Sequence, residues 1–502
     1  MLKTLTDTVS SNERIKSLDI IRGFALFGVL VVNMGSGSFW DNDSNGWLGT
    51  ANQIVSWFVR FFMTHKFVSI YSFLFGIGFA IQLIRAENRK TNFISLYFRR
   101  LLILYLIGVV NFVLTDGDIL QEYAMVAVLL LLLYKLPKNW FWVLALLYVL
   151  VPRVTDMIKS SRNEMRIRAQ LNSKIHVDSS ILDKYVGTYS FPGASIHTIT
   201  RKSDSLLGAG RSSRYQLIPQ SYNVFFRSDK AGVYTFLKDT NEGSTQIIFE
   251  LPSGRKVQGH RIDSIEQNRL GDSKSPAAKK GGPKTYMQLI QTNSKKYWDD
   301  WKNWSWTKFF LGLDITLPLF LMGLYVGRRK VFNNISANQD FLKTAMTLCF
   351  FIGLTGTAIS TSFDVWNYYN HISSQSYNYL IKGFVELSWM LGLMALGLGY
   401  VAKLALLLEN EIWKNRLSFL APVGRMGLTN YIIQSFLVTL TINSFGFNLG
   451  NESPFFSLLL SVLYFFVLVL ISKWWFKHFL FGPLEWVWRS ITYLKIQPMK
   501  AN

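Results

Sequence analysis

The apolar residues of this chain come in blocks. Leu101–Val110, Val126–Leu133 and Leu458–Ile471 are nearly free of charge, and in water such segments would have to be buried on every side. A bilayer removes that requirement: its hydrocarbon core, about 30 Å thick, takes helices of about 20 apolar residues. Composition agrees, because 17% of the 502 residues are charged, against roughly 25% in soluble domains.

Runs of suitable length lie near residues 19–36, 67–84, 99–115, 119–135, 139–157, 307–327, 341–361, 379–404, 424–445 and 455–472. The expected fold is an all-α polytopic membrane protein of about ten transmembrane helices with an inserted all-β extracytoplasmic domain. Its expected divisions are 1–158 (helices 1–5), 159–180 (stalk), 181–263 (β domain), 264–305 (linker), 306–472 (helices 6–10) and 473–502 (an interfacial amphipathic tail). Residues 51–63 carry Arg60 and are too short to cross, so they are expected to form an interfacial or re-entrant helix on the outer face, or an ordinary loop.

Lys and Arg in short loops stay on the cytoplasmic side. Arg14 and Lys16 precede the first run, Arg85, Arg89, Lys90, Arg99 and Arg100 lie between the second and third, and Arg328, Arg329 and Lys330 follow the sixth. The opposite loops at 41–45, 116–118, 367–376 and 448–453 contain neither residue, and only Arg60 and Lys66 blur the pattern. Both termini are therefore expected in the cytoplasm, with residues 160–300 outside. The net charge of +22 then faces anionic headgroups of the lipid bilayer, its expected partner, and no nucleic-acid role is expected.

Hydropathy collapses from Lys159 to Asp300, a stretch with 23 Lys and Arg against 13 Asp and Glu. Short β-prone runs at 195–200, 215–218, 223–226, 232–237, 245–251 and 256–262, separated by turn signals, predict a meander of about eight strands. Leu182–Tyr189, Leu217–Pro219, Val224–Phe226, Tyr234–Asp239 and Gly259–Ile262 resemble the small lipocalin-like domain appended to some β-lactamase-like proteins. His197 and His260 fit no metal spacing and read as solvent-facing strand residues; no metal is expected. Cys349 is the only cysteine, so the insert folds without disulfides.

Polar residues at membrane depth are candidates for function. Arg14, Asp19 and Arg22 stand at the start of the first span, where Asp19 and Arg22 are one turn apart and pair. Asp116 and Asp118 flank Gly117 in a tight outer turn, a cation or substrate site or simply good turn formers. Glu122, Asp314, Lys382 and Glu386 lie in outer halves of spans, Asp314 with no local partner in sequence. Arg425 begins a stretch in which Asn430 and Gln434 share a helical face and line a cavity or bind a neighbouring helix. His65, before the second span, has the chemistry for proton transfer at neutral pH.

Ser17–Asn33, Phe73–Ala80, Asp116–Leu120, Pro422–Ser435 and Phe481–Tyr493, in this order, resemble the YeiB-like family of bacterial integral membrane proteins, also called domain of unknown function 418. The opening motif is also similar to that of transmembrane acetyltransferases, which move an acetyl group from cytoplasmic acetyl-CoA to a sugar on the far side. That similarity implies an acyl-CoA donor, a cytoplasmic cofactor mouth including Arg14, Asp19 and Arg22, and His65 as general base. The acceptor would be an extracytoplasmic glycan or lipid held by the β domain. A permease with Asp314, Glu386, Asn430 and Gln434 along its path is the alternative.

Overall fold

A computed structural model describes residues 15–35, 47–88, 93–137, 139–172, 175–191, 195–209, 214–227, 232–237, 246–250, 256–262, 285–369, 379–449 and 453–500. Arg14 lies outside these residues. The chain divides into two compact units, one of Met1–Pro152, Gly282–Ser362 and Glu386–Asn502, the other of Arg153–Gly281 and Phe363–Val385.

Before the insert come α1 (Lys16–Gly35), α2 (Trp47–Phe62), α3 (Lys66–Asn88), α4 (Phe93–Thr115), α5 (Leu120–Leu133) and α6 (Trp140–Asn172). α7 (Ser179–Asp183) leads into the strands. After them follow α8 (Tyr286–Lys302), α9 (Trp306–Gly312), α10 (Thr316–Arg328), α11 (Gln339–Tyr369), α12 (Tyr379–Leu407), α13 (Glu411–Arg416), α14 (Leu420–Arg425), α15 (Gly427–Ile442), α16 (Pro454–His478) and α17 (Pro483–Tyr493).

Among the described residues, seven stretches are long and apolar enough to cross a membrane: 16–35, 47–88, 93–115, 140–158, 336–364, 380–407 and 454–478. This is a multi-pass membrane protein. Three expected spans differ in form. The spans expected at 119–135 and 424–445 contain the shorter α5 and α15, and the one expected at 307–327 is broken at 313–315 into α9 and α10. Pro318 explains that break, since its nitrogen cannot donate to the carbonyl of Asp314. α2 turns Gly49, Asn52, Ser56 and Val59 inward and leaves Trp47, Ile54, Trp57 and Phe58 exposed. α6 runs unbroken to Asn172, so the expected stalk continues the helix before it.

Glycines set the closest helix crossings. A Cβ on Gly76 of α3 would collide with the carbonyl oxygen of Phe320, and one on Gly323 of α10 with that of Phe73. Gly327, four residues on, meets Ala80 in the same way, giving small residues at i and i+4 on both helices, the pattern that lets backbones approach in lipid. α1 and α14 repeat the device, Gly23 against Leu420 and Gly424 against Asp19. These crossings hold α1, α3, α10 and α14 at fixed separations.

The insert is an antiparallel barrel closed in chain order: β1 (Gly187–Phe191), β2 (Ser195–Lys202), β3 (Ser205–Ala209), β4 (Arg214–Pro219), β5 (Val224–Arg227), β6 (Val233–Leu237), β7 (Gln246–Glu250) and β8 (Lys256–Ile262), the last pairing with β1. Eight strands leave an interior that side chains fill, here Tyr189, Ile199, Leu206, Leu217, Phe225, Tyr234, Phe236 and Ile247. His197 corrects the expectation of a solvent-facing residue. It shares the inward face with Ile199, two residues on, and its Nδ1 lies 2.7 Å from the Tyr215 hydroxyl and 2.9 Å from that of Tyr234. His260 is exposed. No metal-binding group of His, Cys, Asp and Glu occurs among the described residues.

Gly323→Leu is expected to lower stability by about 1–3 kcal/mol or more through overpacking, read as a reduced melting temperature in detergent. Gly312→Ala, where an added Cβ meets nothing within 4 Å, should leave it unchanged.

Candidate functional site

The two interrupted helices frame a cavity of 930 Å³ in the helical unit. Gly312, Ile315 and Thr316 line it at the α9–α10 break, and Gly424, Arg425, Gly427 and Leu428 at the α14–α15 break. Irregular backbone at membrane depth is tolerated where it borders such a space or is covered by protein. The cavity runs lengthwise through the bundle: Arg22 and Asn33 of α1 both line it, and eleven residues of helix advance about 17 Å.

One end carries four guanidinium groups, from Arg22, Arg100, Arg425 and Arg489. Each is braced. Arg22 Nη1 is 3.1 Å from Asp19 Oδ1, Arg100 stacks 3.8 Å above the Trp488 ring, and Arg489 lies 4.6 Å from the Phe481 ring centre. Arg425 donates to the Leu480 carbonyl at 2.6 Å and lies over Phe476. α17 closes this end. Glu485 Oε1 accepts the N–H groups of Leu428 at 2.7 Å and Thr429 at 3.1 Å, and Oε2 accepts the Thr429 hydroxyl. A carboxylate from another helix thus caps α15, satisfying donors that its own first turn leaves unpaired. Burial holds the Glu485 carboxyl above its ordinary range despite those bonds.

The other end is lined by Asp116, Asp118, Glu122 and His65. His65 (φ 61°) and Asp116 (φ 63°) both occupy the left-handed region, a conformation uncommon outside glycine and enriched at functional positions. The His65 ring meets Trp389 edge-on at 5.6 Å. Asp118 Oδ2 accepts the Gln121 N–H at 2.8 Å, and Oδ1 accepts from Asn111 Nδ2 at 3.1 Å. Burial nevertheless pushes the Asp118 carboxyl up to about 6. Glu122 accepts the Thr316 hydroxyl, and Tyr431 accepts the Ile119 N–H at 3.2 Å, tying α15 to the 116–119 turn.

Of the residues singled out from sequence, Arg22, His65, Asp116, Asp118, Glu122 and Arg425 meet in this one cavity. Asp19 is buried behind Arg22. Asn430 binds neighbouring helices, its Nδ2 donating to the Val423 carbonyl and to Ser472 Oγ, each at 3.0 Å. Gln434, 1% exposed, has no hydrogen-bond partner among the described residues. Asp314 sits in the turn between α9 and α10, and Glu386 is half-buried on α12. Neither these two nor Asn430 and Gln434 are among the lining residues, so the cavity does not gather the four on which a permease path was based. Tyr71, Tyr431, Glu485, Trp488 and Arg489 do line it and were missed. Trp488 and Arg489 lie in the tail expected to be interfacial, yet the indole N–H of Trp488 donates to the Arg100 carbonyl at 2.9 Å, a bond inside the protein.

Residues 326–495 match the family described as "Protein of unknown function (DUF418)". Residues 14–174 match "Heparan-alpha-glucosaminide N-acetyltransferase, catalytic". The uncharacterized protein YxaH of Bacillus subtilis (strain 168) is 25% identical over 97% of this chain and 96% of its own. An uncharacterized 39.9 kDa protein in the amylase 3' region of Bacillus acidopullulyticus is 23% identical over 98% of each chain. The uncharacterized protein YeiB of Escherichia coli (strain K12) is 35% identical over 78 residues, 14% of this chain and 19% of its own. The chain is thus similar to the YeiB-like family over residues 326–495 and to YxaH along nearly its whole length. Its first part also resembles a membrane acyltransferase domain. No solved structure matches. The cavity draws on both matched regions: Arg22 to Tyr123 fall in one, Gly424 to Arg489 in the other.

Glu485→Ala leaves buried N–H groups unpaired and should cost about 1–3 kcal/mol, with a lower melting temperature; Glu485→Gln, which keeps an acceptor, should cost less. For Asp118 the raised folded-state value means stability that is present below the ordinary carboxylate range and lost as pH rises through about 6. The melting temperature of Asp118→Asn relative to the parent should therefore rise between pH 4.5 and 7.5. A difference independent of pH would contradict this sign.

Proposed function

We propose that this YeiB-like protein is a membrane acyltransferase, taking an acyl group from acyl-CoA at the arginine-lined end of the cavity and delivering it to a glycan or lipid at the carboxylate-lined end. The observation that carries the reading is the single cavity joining four guanidinium groups to three carboxylates through the bundle. The resemblance of residues 14–174 to an N-acetyltransferase catalytic domain supports it.

The donor set fits the cofactor, because guanidinium groups suit phosphate in charge and in planar geometry. Arg22, Arg100, Arg425 and Arg489 would hold the phosphates, with Asp19 orienting Arg22. When bound, acyl-CoA supplies an activated thioester. The chain's own work is then to position an acceptor and take up its proton. Asp116 and Asp118 would orient the acceptor hydroxyl or amine, and His65 would act as general base. Asp118, held at about 6 by burial, is the second group at this end suited to carry a proton near neutral pH.

On this reading the chain sits in the bacterial inner membrane with both termini and the arginine-lined end in the cytoplasm, where acyl-CoA is made. The β-barrel would stand outside and present the acceptor. The Lys and Arg bias of the loops supports this orientation.

Purified protein should bind acetyl-CoA saturably in calorimetry. Arg22→Gln and Arg489→Gln should each weaken binding at least about tenfold, roughly one charge-assisted hydrogen bond, with the melting temperature kept. Absence of saturable binding would end the reading. In sealed right-side-out vesicles, Tyr222→Cys in the barrel, 65% exposed, should react with an impermeant thiol reagent without permeabilisation; reaction only after permeabilisation would invert the topology.

A further inference from the structure

We propose that α8 is a strap across the carboxylate-lined end of the cavity and gates access there by lifting from α4. α8 begins with a capping box, Thr285 Oγ1 accepting the Gln288 N–H while the Gln288 side chain accepts that of Thr285. From this start it lays one face on the end of α4. Tyr286 donates to the Leu114 carbonyl at 3.1 Å, and Asn293 Nδ2 to the Val113 carbonyl at 3.1 Å and that of Phe112 at 3.4 Å. Lys296 Nζ pairs with Asp116 Oδ1 at 2.8 Å, and the Tyr297 hydroxyl meets that of Tyr105 at 3.0 Å. Between them Leu289, 5% exposed, forms part of the cavity wall.

The character of these contacts makes α8 the movable wall. Beside ring contacts of Tyr286 with Phe445 at 5.4 Å and of Tyr297 with Phe112 at 5.9 Å, Tyr286, Asn293, Lys296 and Tyr297 hold it by side-chain polar bonds, and the two sides of the Lys296–Asp116 pair are 50% and 48% exposed. An exposed pair contributes little to stability. The opposite face carries exposed Met287, Trp298 and Trp301. The α3–α10 wall is different in kind, since its glycine contacts leave no room for displacement. Lifting α8 would free Asp116 and withdraw Leu289, opening the cavity at the end that holds His65 and Asp118. The strap is independent of the reaction assigned to the cavity.

The test uses full-length protein in detergent with Cys349→Ser and Val438→Cys, a half-buried cavity-lining position, labelled by a bulky maleimide. Lys296→Glu, which sets two like charges together, should speed labelling at least fivefold, and the swapped pair Asp116→Lys with Lys296→Glu should return it to within twofold of the parent. Parental labelling in a well-folded Lys296→Glu variant, or a swap as fast as the single variant, would overturn the proposal. Hydrogen exchange of the unsubstituted protein decides independently of any variant: amides of 286–302 should exchange at least tenfold faster than those of 316–328, and equal protection would refute a movable strap.

Discussion

Backbone polar groups at membrane depth must find partners inside the protein, and that requirement organises the site. The last carbonyls of α4 are taken by Asn293 and Tyr286 of α8 and by Thr439 of α15, whose hydroxyl donates to Thr115 at 3.1 Å. The first N–H groups of α15 are taken by Glu485 of α17. Each of these three elements also contributes a wall to the cavity. The Glu485 bonds, whose loss would strand buried N–H groups, are worth about 1–3 kcal/mol, so the arginine-lined end of the cavity is fixed by bonds that also stabilise the fold.

Charge is divided along the cavity rather than mixed within it. Four arginines gather where α1, α4 and α14 approach α17, and three carboxylates where α4 passes into α5. Asp19 and Glu485 are the acidic partners at the arginine end, and both are engaged, one by Arg22 and one by the α15 backbone. Lys296 is the corresponding cation at the other end. An anionic group entering at one end and a hydrogen-bond donor or cationic group at the other would each meet opposite charge in a space of low dielectric, where such attraction is stronger than in water.

Much of this was legible because periodicity reports burial. The apolar blocks gave the helices, and alternation in the insert gave strands such as 256–262, found as β8. The Arg22, His65, Asp116, Asp118 and Arg425 positions were visible as charges where lipid makes them costly. Helix breaks were less visible: Pro318 is a signal for one, and Gly424 and Gly427 beside Met426 for the other, whereas the cap on the helix that follows comes from Glu485, some sixty residues on. Trp488 looked like a headgroup anchor for the same reason, since an indole donates equally well to a headgroup or to the Arg100 carbonyl. His197 was misread because a histidine on a strand says nothing about which face is inward until the register is known.

On the proposed reading, one cavity reaches toward both faces of the membrane. Single cysteines test it most directly, at Gly78, where only the Arg22 guanidinium lies within 4 Å of an added Cβ, and at Asn443, both lining residues. In sealed vesicles of each orientation, an impermeant thiol reagent should label Gly78→Cys from one side and Asn443→Cys from the other, with coenzyme A protecting the first alone. Labelling of both from the same side, or of neither, would contradict the account.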